Sequence, residues 1–182
     1  AGRVRFKGAE VHGSTPHRIA ARGMSRTFQN LRVFPNMSVF DNVSVGATGA
    51  MGQSAFDAVF GRRRRADAIS IRTWEALERV GLADVSKELA ANLSYGKRKY
   101  LEIARALAMK PDLLILDEPA AGLNDSETAD LARFIRSINA EGLAVMLVEH
   151  DMKLVMSVCS RVVVLASGRK IADAEPAVVR RD

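Results

Sequence analysis

The tightest constraint on this chain is a run of four apolar residues, Leu113-Leu114-Ile115-Leu116, that ends abruptly in two acids, Asp117-Glu118. An unbroken apolar run bounded by polar residues reads as a strand covered on both faces, the kind found in parallel sheets flanked by helices. Leu143–Val148 repeats the pattern and ends in Glu149-His150-Asp151, and Val162–Leu165 supplies a third strand. Between the first two, Asn124 with Glu127 three residues on reads as a capping box, and Leu131, Phe134, Ile135 and Ile138 share one helical face. Alternating β and α units of this kind predict an α/β fold, an open parallel sheet covered by helices.

Upstream, Val4–Lys7 and Glu10–His12 read as a hairpin around Gly8-Ala9, and Thr15-Pro16 as the start of a short helix that Gly23 stops. Ser25–Gln29 reads as a strand running into a loop. Ser38 with Asp41 opens another helix, and Gly46 to Gly61 gives no clear signal. Ile71, Trp74, Leu77 and Val80 predict a helix packed through that face and stopped at Gly81, and Ser94 caps one that packs Leu101, Ala104 and Leu107 before Pro111. Asp151–Ser157 reads as a short helix, and Ser167-Gly168 as a turn into Arg169–Ile171. The expectation is one domain over 1–182, with a mostly helical lobe at about 31–110 and a sheet core from about 1–30 and 111–182.

Composition narrows the function classes. With 48% apolar and 26% charged residues the chain is too hydrophobic to be disordered, and no apolar run approaches the roughly 18–20 residues of a membrane helix. A single cysteine, Cys159, suits a reducing compartment, and three scattered histidines make a structural zinc site improbable. The net charge of +6 owes four units to one block, Arg62–Arg65, which reads as a solvated loop, with attraction to anionic lipid or RNA as the alternative. Ten aromatics without a stacking pattern give no support for a nucleic-acid partner.

In open sheets of this class ligands sit outside the carboxyl ends of the strands. Asp117, delivered to such a tip, is placed to hold Mg²⁺ beside nucleotide phosphates. Glu118 could accept a proton from an attacking water if its surroundings raise its pKa, and His150 at the next tip could hydrogen-bond a γ-phosphate. The plainer alternative is that these groups cap helices or face solvent. Two tips of this kind weigh against it. Leu93-Ser94-Tyr95-Gly96-Lys97 forms a second constellation: at a helix N-terminus, unpaired N–H groups and the dipole favour an anion. Gly96 permits close backbone approach, while Ser94 also has the ordinary role of an N-cap.

Taken together and in this order, the segments resemble the ATPase subunits of ABC transporters. Gln29 looks like the Q-loop glutamine, Leu93–Gly96 the signature motif, Leu113–Asp117 the Walker B strand and Glu118 the catalytic glutamate. Ala121–Asn124 resembles the D-loop and His150 the switch histidine. Tyr95, Pro119–Asn124 and the run Glu102–Ala108 look most like the branched-chain amino-acid importer branch, although Tyr95 and Lys97 replace the usual Gly and Gln, and Asn124 the D-loop Asp. The resemblance implies a P-loop-NTPase-like fold that binds ATP and Mg²⁺, the metal held by Asp117 and Gln29. It also implies a second ATPase subunit, identical or sister, whose Ser94, Tyr95, Gly96, Lys97 and Asn124 reach the nucleotide across a dimer. Membrane permease subunits would be the other partners, at the cytoplasmic face of the inner membrane, touched through Phe34, Pro35 and Met37, for which core packing is an equal alternative.

One motif is missing. The phosphate-cradling loop needs G-x-x-x-x-G-K-[ST], yet none of the seven lysines is followed by Ser or Thr. Gly46, Gly49 and Gly52 lack the lysine and read as packing or loop glycines. The expectation is a chain truncated before its hairpin, without the phosphate-loop strand and helix, marginally stable and inactive alone. Two alternatives remain: a degenerate, non-catalytic interaction module, and a DNA-repair type ATPase. The latter inserts a long coiled coil between the Q-loop and the signature, whereas here only 65 positions separate Gln29 from Ser94, without sustained heptads.

Overall fold

A computed structural model describes residues 2–28, 31–50 and 62–181, with only the backbone of Arg62. Its centre is a three-stranded parallel sheet in the order β3-β4-β5, where β3 is Met24–Arg26, β4 is Leu113–Asp117 and β5 is Ala144–Val148. The register places Arg26 beside Ile115 and Asp117 beside Val148, so the carboxyl ends of all three strands lie at one rim. An antiparallel hairpin, β1 (Arg5–Phe6) with β2 (Ala9–Glu10), precedes the sheet, and helix α1 (Pro16–Ala21) joins the two.

Among the described residues, the α-helices α2 (Val39–Ala50), α3 (Arg62–Arg79) and α4 (Tyr95–Leu107) follow β3. Ser38 caps α2 through its hydroxyl oxygen, which accepts the Asp41 N–H at 3.0 Å. The reciprocal bond of a capping box is replaced, because the Asp41 carboxylate takes the Ser38 hydroxyl instead. α2 lies so close on α4 that a Cβ at Gly46 would collide with the Arg105 carbonyl, which gives that glycine the packing role expected of it. Gly52 lies outside the described residues.

Beyond β4 run α5 (Asp125–Ala140), β5, α6 (Met152–Val158), a hairpin of β6 (Val162–Ala166) with β7 (Arg169–Ala174), and the short α7 (Pro176–Val179). Asn124 and Glu127 form the full capping box that opens α5, each side chain accepting the other's backbone N–H at 2.9 Å. A single core runs from Val39, Val43 and Leu77 through Leu101 and Leu107 to Leu114, Leu116, Leu131, Ile135 and Leu154.

Three expectations need correction. Ile71 and Trp74 are exposed, and α3 packs through Thr73 and Ala76 together with the expected Leu77 and Val80, against α2 and α4. The arginine block opens α3 and is not a loop. Finally, β5 is a half-covered strand: Met146 and Val148 are exposed while Val145 and Leu147 pack on the core. Among the described residues, no strand pairs with β5 on the edge away from β4, and β6–β7 stands as a separate two-stranded sheet.

Candidate functional site

The rim where β3, β4 and β5 end gathers most of the residues singled out by the sequence. Asp117 closes β4 with its side chain only 15% exposed, and Arg26 at the end of β3 donates to its Oδ2 at 2.6 Å. Its backbone N–H donates to the Thr27 hydroxyl at 3.3 Å. Glu118 follows in a left-handed conformation, φ 45°, that turns the chain sharply off the strand. Its N–H is anchored on the Val148 carbonyl at 2.9 Å, which binds the tip of β4 to that of β5.

That turn brings the Glu118 carboxylate within 3.8 Å of Nδ1 of His150, whose ring is largely exposed. The two strand tips thus converge on an imidazole whose Nδ1 lies 3.8 Å from Glu118 and 3.9 Å from Glu149, next to the largely buried Asp117. Gln29 lies outside the described residues, but its neighbours place the end of β3 at the same rim: the Thr27 N–H donates to the Ile115 carbonyl at 2.9 Å.

The remaining acids after β5 have structural work. Glu149 folds back until its side chain is almost wholly buried, accepting N–H bonds from Ala120 at 2.9 Å, His150 at 3.1 Å and Asp151 at 3.4 Å. It therefore staples the loop after β4 to the loop after β5 and sets the backbone on which His150 sits. Asp151 caps α6, accepting from Lys153 and Leu154 N–H at 2.8 and 3.2 Å.

Ser94 caps α4, its hydroxyl oxygen accepting the Lys97 N–H at 3.4 Å. Tyr95 leans over the loop after β4 and donates its hydroxyl to the Ala121 carbonyl at 3.2 Å. Gly96 is buried against α5, where a Cβ would come 2.7 Å from Glu127 Oε1, and Lys97 is exposed. The side-chain oxygen of Asn124 is spent on its cap. So the N-terminal turn of α4 and the 118–124 loop adjoin within one chain, while Ser94 and Lys97 face outward.

Magnesium beside phosphates is typically held by one or two carboxylates, the phosphate oxygens and water supplying the rest. Asp117 fits that role as a largely buried carboxylate at a strand end, with Arg26 holding Oδ2, so a metal there would have to share the carboxylate with that guanidinium or displace it. An all-protein metal cage does not fit: no group of three or more His, Cys, Asp or Glu among the described residues could hold an ion. Sequence reasoning missed Arg26, Thr27, Lys99 and Glu102, and named Glu149 at its strand end without the buried anchoring role. A Lys and a Glu at 99 and 102, three apart on the apolar face of α4, were a readable signal. Nothing local announces Arg26, whose partner lies 91 positions away.

A family model described as ABC transporter matches residues 1–121. BraF of Pseudomonas aeruginosa, a high-affinity branched-chain amino acid transport ATP-binding protein, is 39% identical over 185 positions, covering 98% of this chain and 72% of that protein. LivG of Salmonella typhimurium, described in the same terms, is 36% identical over all of this chain and 72% of its own length. Among solved structures, CbiO1 of Clostridium perfringens, part of an ABC transporter complex, superposes with TM-score 0.83 at 28% identity, covering 100% of this chain and 69% of that one. A nucleotide-free ATP-binding cassette from an ABC transporter superposes equally well, TM-score 0.83 at 24% identity over 100% of this chain and 72% of that one, a likeness of fold.

Proposed function

Because the chain belongs to the ABC transporter family, we propose that it is the ATP-binding and hydrolysing component of a bacterial importer for branched-chain or similar amino acids. The observation that carries the chemistry is the convergence of Glu118 and His150 at 3.8 Å beside Asp117. Likeness to BraF and LivG across nearly the whole chain supports the choice of solute class.

In this reading Glu118 accepts a proton from the water that attacks the γ-phosphorus. Its backbone is fixed by Val148, so the carboxylate is oriented before substrate arrives. His150 sits where its ring can hydrogen-bond a γ-phosphate oxygen and steady the carboxylate it faces. Asp117 and Gln29 would hold Mg²⁺. When bound, the metal supplies positive charge to the phosphate oxygens. Ser94, Tyr95, Gly96 and Lys97 present the α4 N-terminus to the nucleotide of a second ATPase subunit, where free N–H groups favour phosphate, and Asn124 lies on the loop beside that contact.

A cleft of about 760 Å³ between β3, α2 and α4, with Phe28, Phe34, Val45 and Met109 in its lining, suits the permease side of the assembly. Exposure of Phe34 favours that role over core packing for this residue. No helix among the described residues is long and apolar enough to cross a membrane. In this reading the chain sits at the cytoplasmic face, held by the permease.

Replacing Glu118 by Gln in the complete subunit keeps ATP binding and lowers hydrolysis about 10²–10⁴-fold, the usual contribution of a general base. Steady-state turnover near the parent level would remove Glu118 from the role. The 182 residues by themselves, without a G-x-x-x-x-G-K-[ST] sequence, do not turn ATP over; magnesium-dependent hydrolysis by the purified chain would contradict this.

A further inference from the structure

Helix α4 carries two charged side chains on its buried face, Lys99 and Glu102, only 5% and 3% exposed. A charge is retained in such a place only when polar partners replace its water. The Lys99 Nζ donates to the backbone carbonyl of Glu118 at 3.4 Å and lies 5.7 Å from the centre of the Tyr95 ring. That same carbonyl accepts the Ala121 N–H at 3.1 Å, which closes the turn holding Glu118 at its positive φ. A non-glycine residue keeps such a conformation only where its surroundings impose it.

Glu102 reaches the other way. Its Oε1 accepts the Phe28 N–H at 3.3 Å, and the Arg32 backbone N–H is a second, weaker electrostatic partner of the carboxylate. One side chain therefore grips both flanks of the short segment that contains Gln29. Arg105 lies 4.0 Å from the same oxygen. Burial pushes the Glu102 carboxyl above its ordinary pKa, and the two backbone N–H groups with Arg105 and Lys99 pull it back.

We propose that Lys99 and Glu102 form a buried charged brace on α4, which fixes the Glu118 peptide and the flanks of the Gln29 segment to one rigid element. Both are positioning residues. That role in hydrolysis rests on the ATPase reading above, whereas the brace does not, and the experiment reads the brace alone.

Amide hydrogen exchange is measured on the nucleotide-free chain for the parent, Glu102→Ala, Glu102→Gln, Lys99→Met and the double variant Lys99→Met/Glu102→Ala. Local openings are resolved segment by segment in this way. Glu102→Ala speeds exchange at Phe28 and Arg32 by about tenfold or more, a loss of local protection of the size expected when a buried acceptor is removed. Glu102→Gln, which keeps an acceptor oxygen, restores most of the protection, and Lys99→Met speeds exchange at Ala121. The double variant separates positioning from mere charge balance. If the two charges served only to neutralise one another, removing both would return both segments to parent rates. A brace leaves both fast while α5 and the β6–β7 hairpin keep their protection. Parent rates at Phe28 and Arg32 in Glu102→Ala, or in both segments of the double variant, overturn the proposal. So does protection lost evenly through the molecule in the double variant, which would assign the pair to general core stability.

Discussion

Strands β4 and β6 are built from nearly the same residues and live in opposite surroundings. In β4, Leu114 and Leu116 are fully buried, both edges are paired, and the tip is pinned by Arg26, Thr27 and Val148. In β6, Val163 and Leu165 are exposed, Leu165 at 69%, and its one partner among the described residues is β7. An apolar run therefore specifies a strand, but what covers the strand is set by its neighbours. The site lies at the tips of β4 and β5, where the described backbone is anchored by the Val148 carbonyl and by Glu149. The apolar surface of Met146, Val148, Val163 and Leu165 is the kind that invites a further strand or self-association.

Truncation breaks this contrast most directly. Leu116→Ala removes a fully buried side chain beneath the site and should cost about 2–5 kcal/mol, the range for core leucines. Leu165→Ala removes the same atoms from an exposed position and should stay within about 0.5 kcal/mol. Urea unfolding of the two variants measures both. Equal losses would mean that Leu165 is covered in solution and that the two strands do not differ in the way described.

How much of this was legible beforehand follows the range of each interaction. Asp117, Glu118 and His150 were visible because a strand end is marked by where an apolar run stops. The caps at Ser94 and Asn124 were visible because their partners lie three residues away. Coverage was not: the sequence shows β5 as apolar throughout, and one of its two faces, carrying Met146 and Val148, is left uncovered among the described residues while Val145 and Leu147 pack on the core. The face of α3 was misplaced in part, at Ile71 and Trp74, because periodicity gives a helix's stripe but not the body it meets. Arg26 and Glu149 act across 91 and 29 positions, a distance over which no local pattern reports; Lys99 and Glu102 stood out as charges on an apolar helix face, but their partners 19 and 74 positions away did not. Their placement follows from tertiary packing alone.

The anchor at the pinned tips is the next test. Glu149 gathers three backbone N–H groups from two loops in a buried position, so Glu149→Ala leaves those donors without their acceptor. A buried group left unsatisfied costs about 1–3 kcal/mol, and water entering the vacated space keeps the total near that figure. In urea the loss should be clear but smaller than for Leu116→Ala, with faster amide exchange at Ala120 and His150. Unchanged exchange at these two amides would show that the loops hold their places without Glu149, and that the tips owe their order to β4 and β5 themselves.

The smallest effect belongs to the outer hairpin, which relies on charge where β4 relies on burial. Arg161 grips both oxygens of Asp173, Nε to Oδ1 at 2.7 Å and Nη2 to Oδ2 at 3.0 Å, and Lys170 reaches Oδ2 at 2.8 Å. The Arg161 hydrogen bonds, followed by that from Lys170, hold the Asp173 carboxyl well below the usual carboxylate range. A carboxyl whose folded pKa is depressed adds stability that is present above its unfolded value, about 3.9, and is lost as pH falls from there through the folded value. Protection of the β6–β7 amides should thus be level from neutral pH down to about 4 and decline below it, more shallowly in high salt because the pair is solvent-screened. Asp173→Asn should lower the plateau slightly and flatten the acid limb. An acid limb as steep in Asp173→Asn as in the parent would mean that another carboxylate governs the hairpin, and that the outer strands are held by something other than this ion pair.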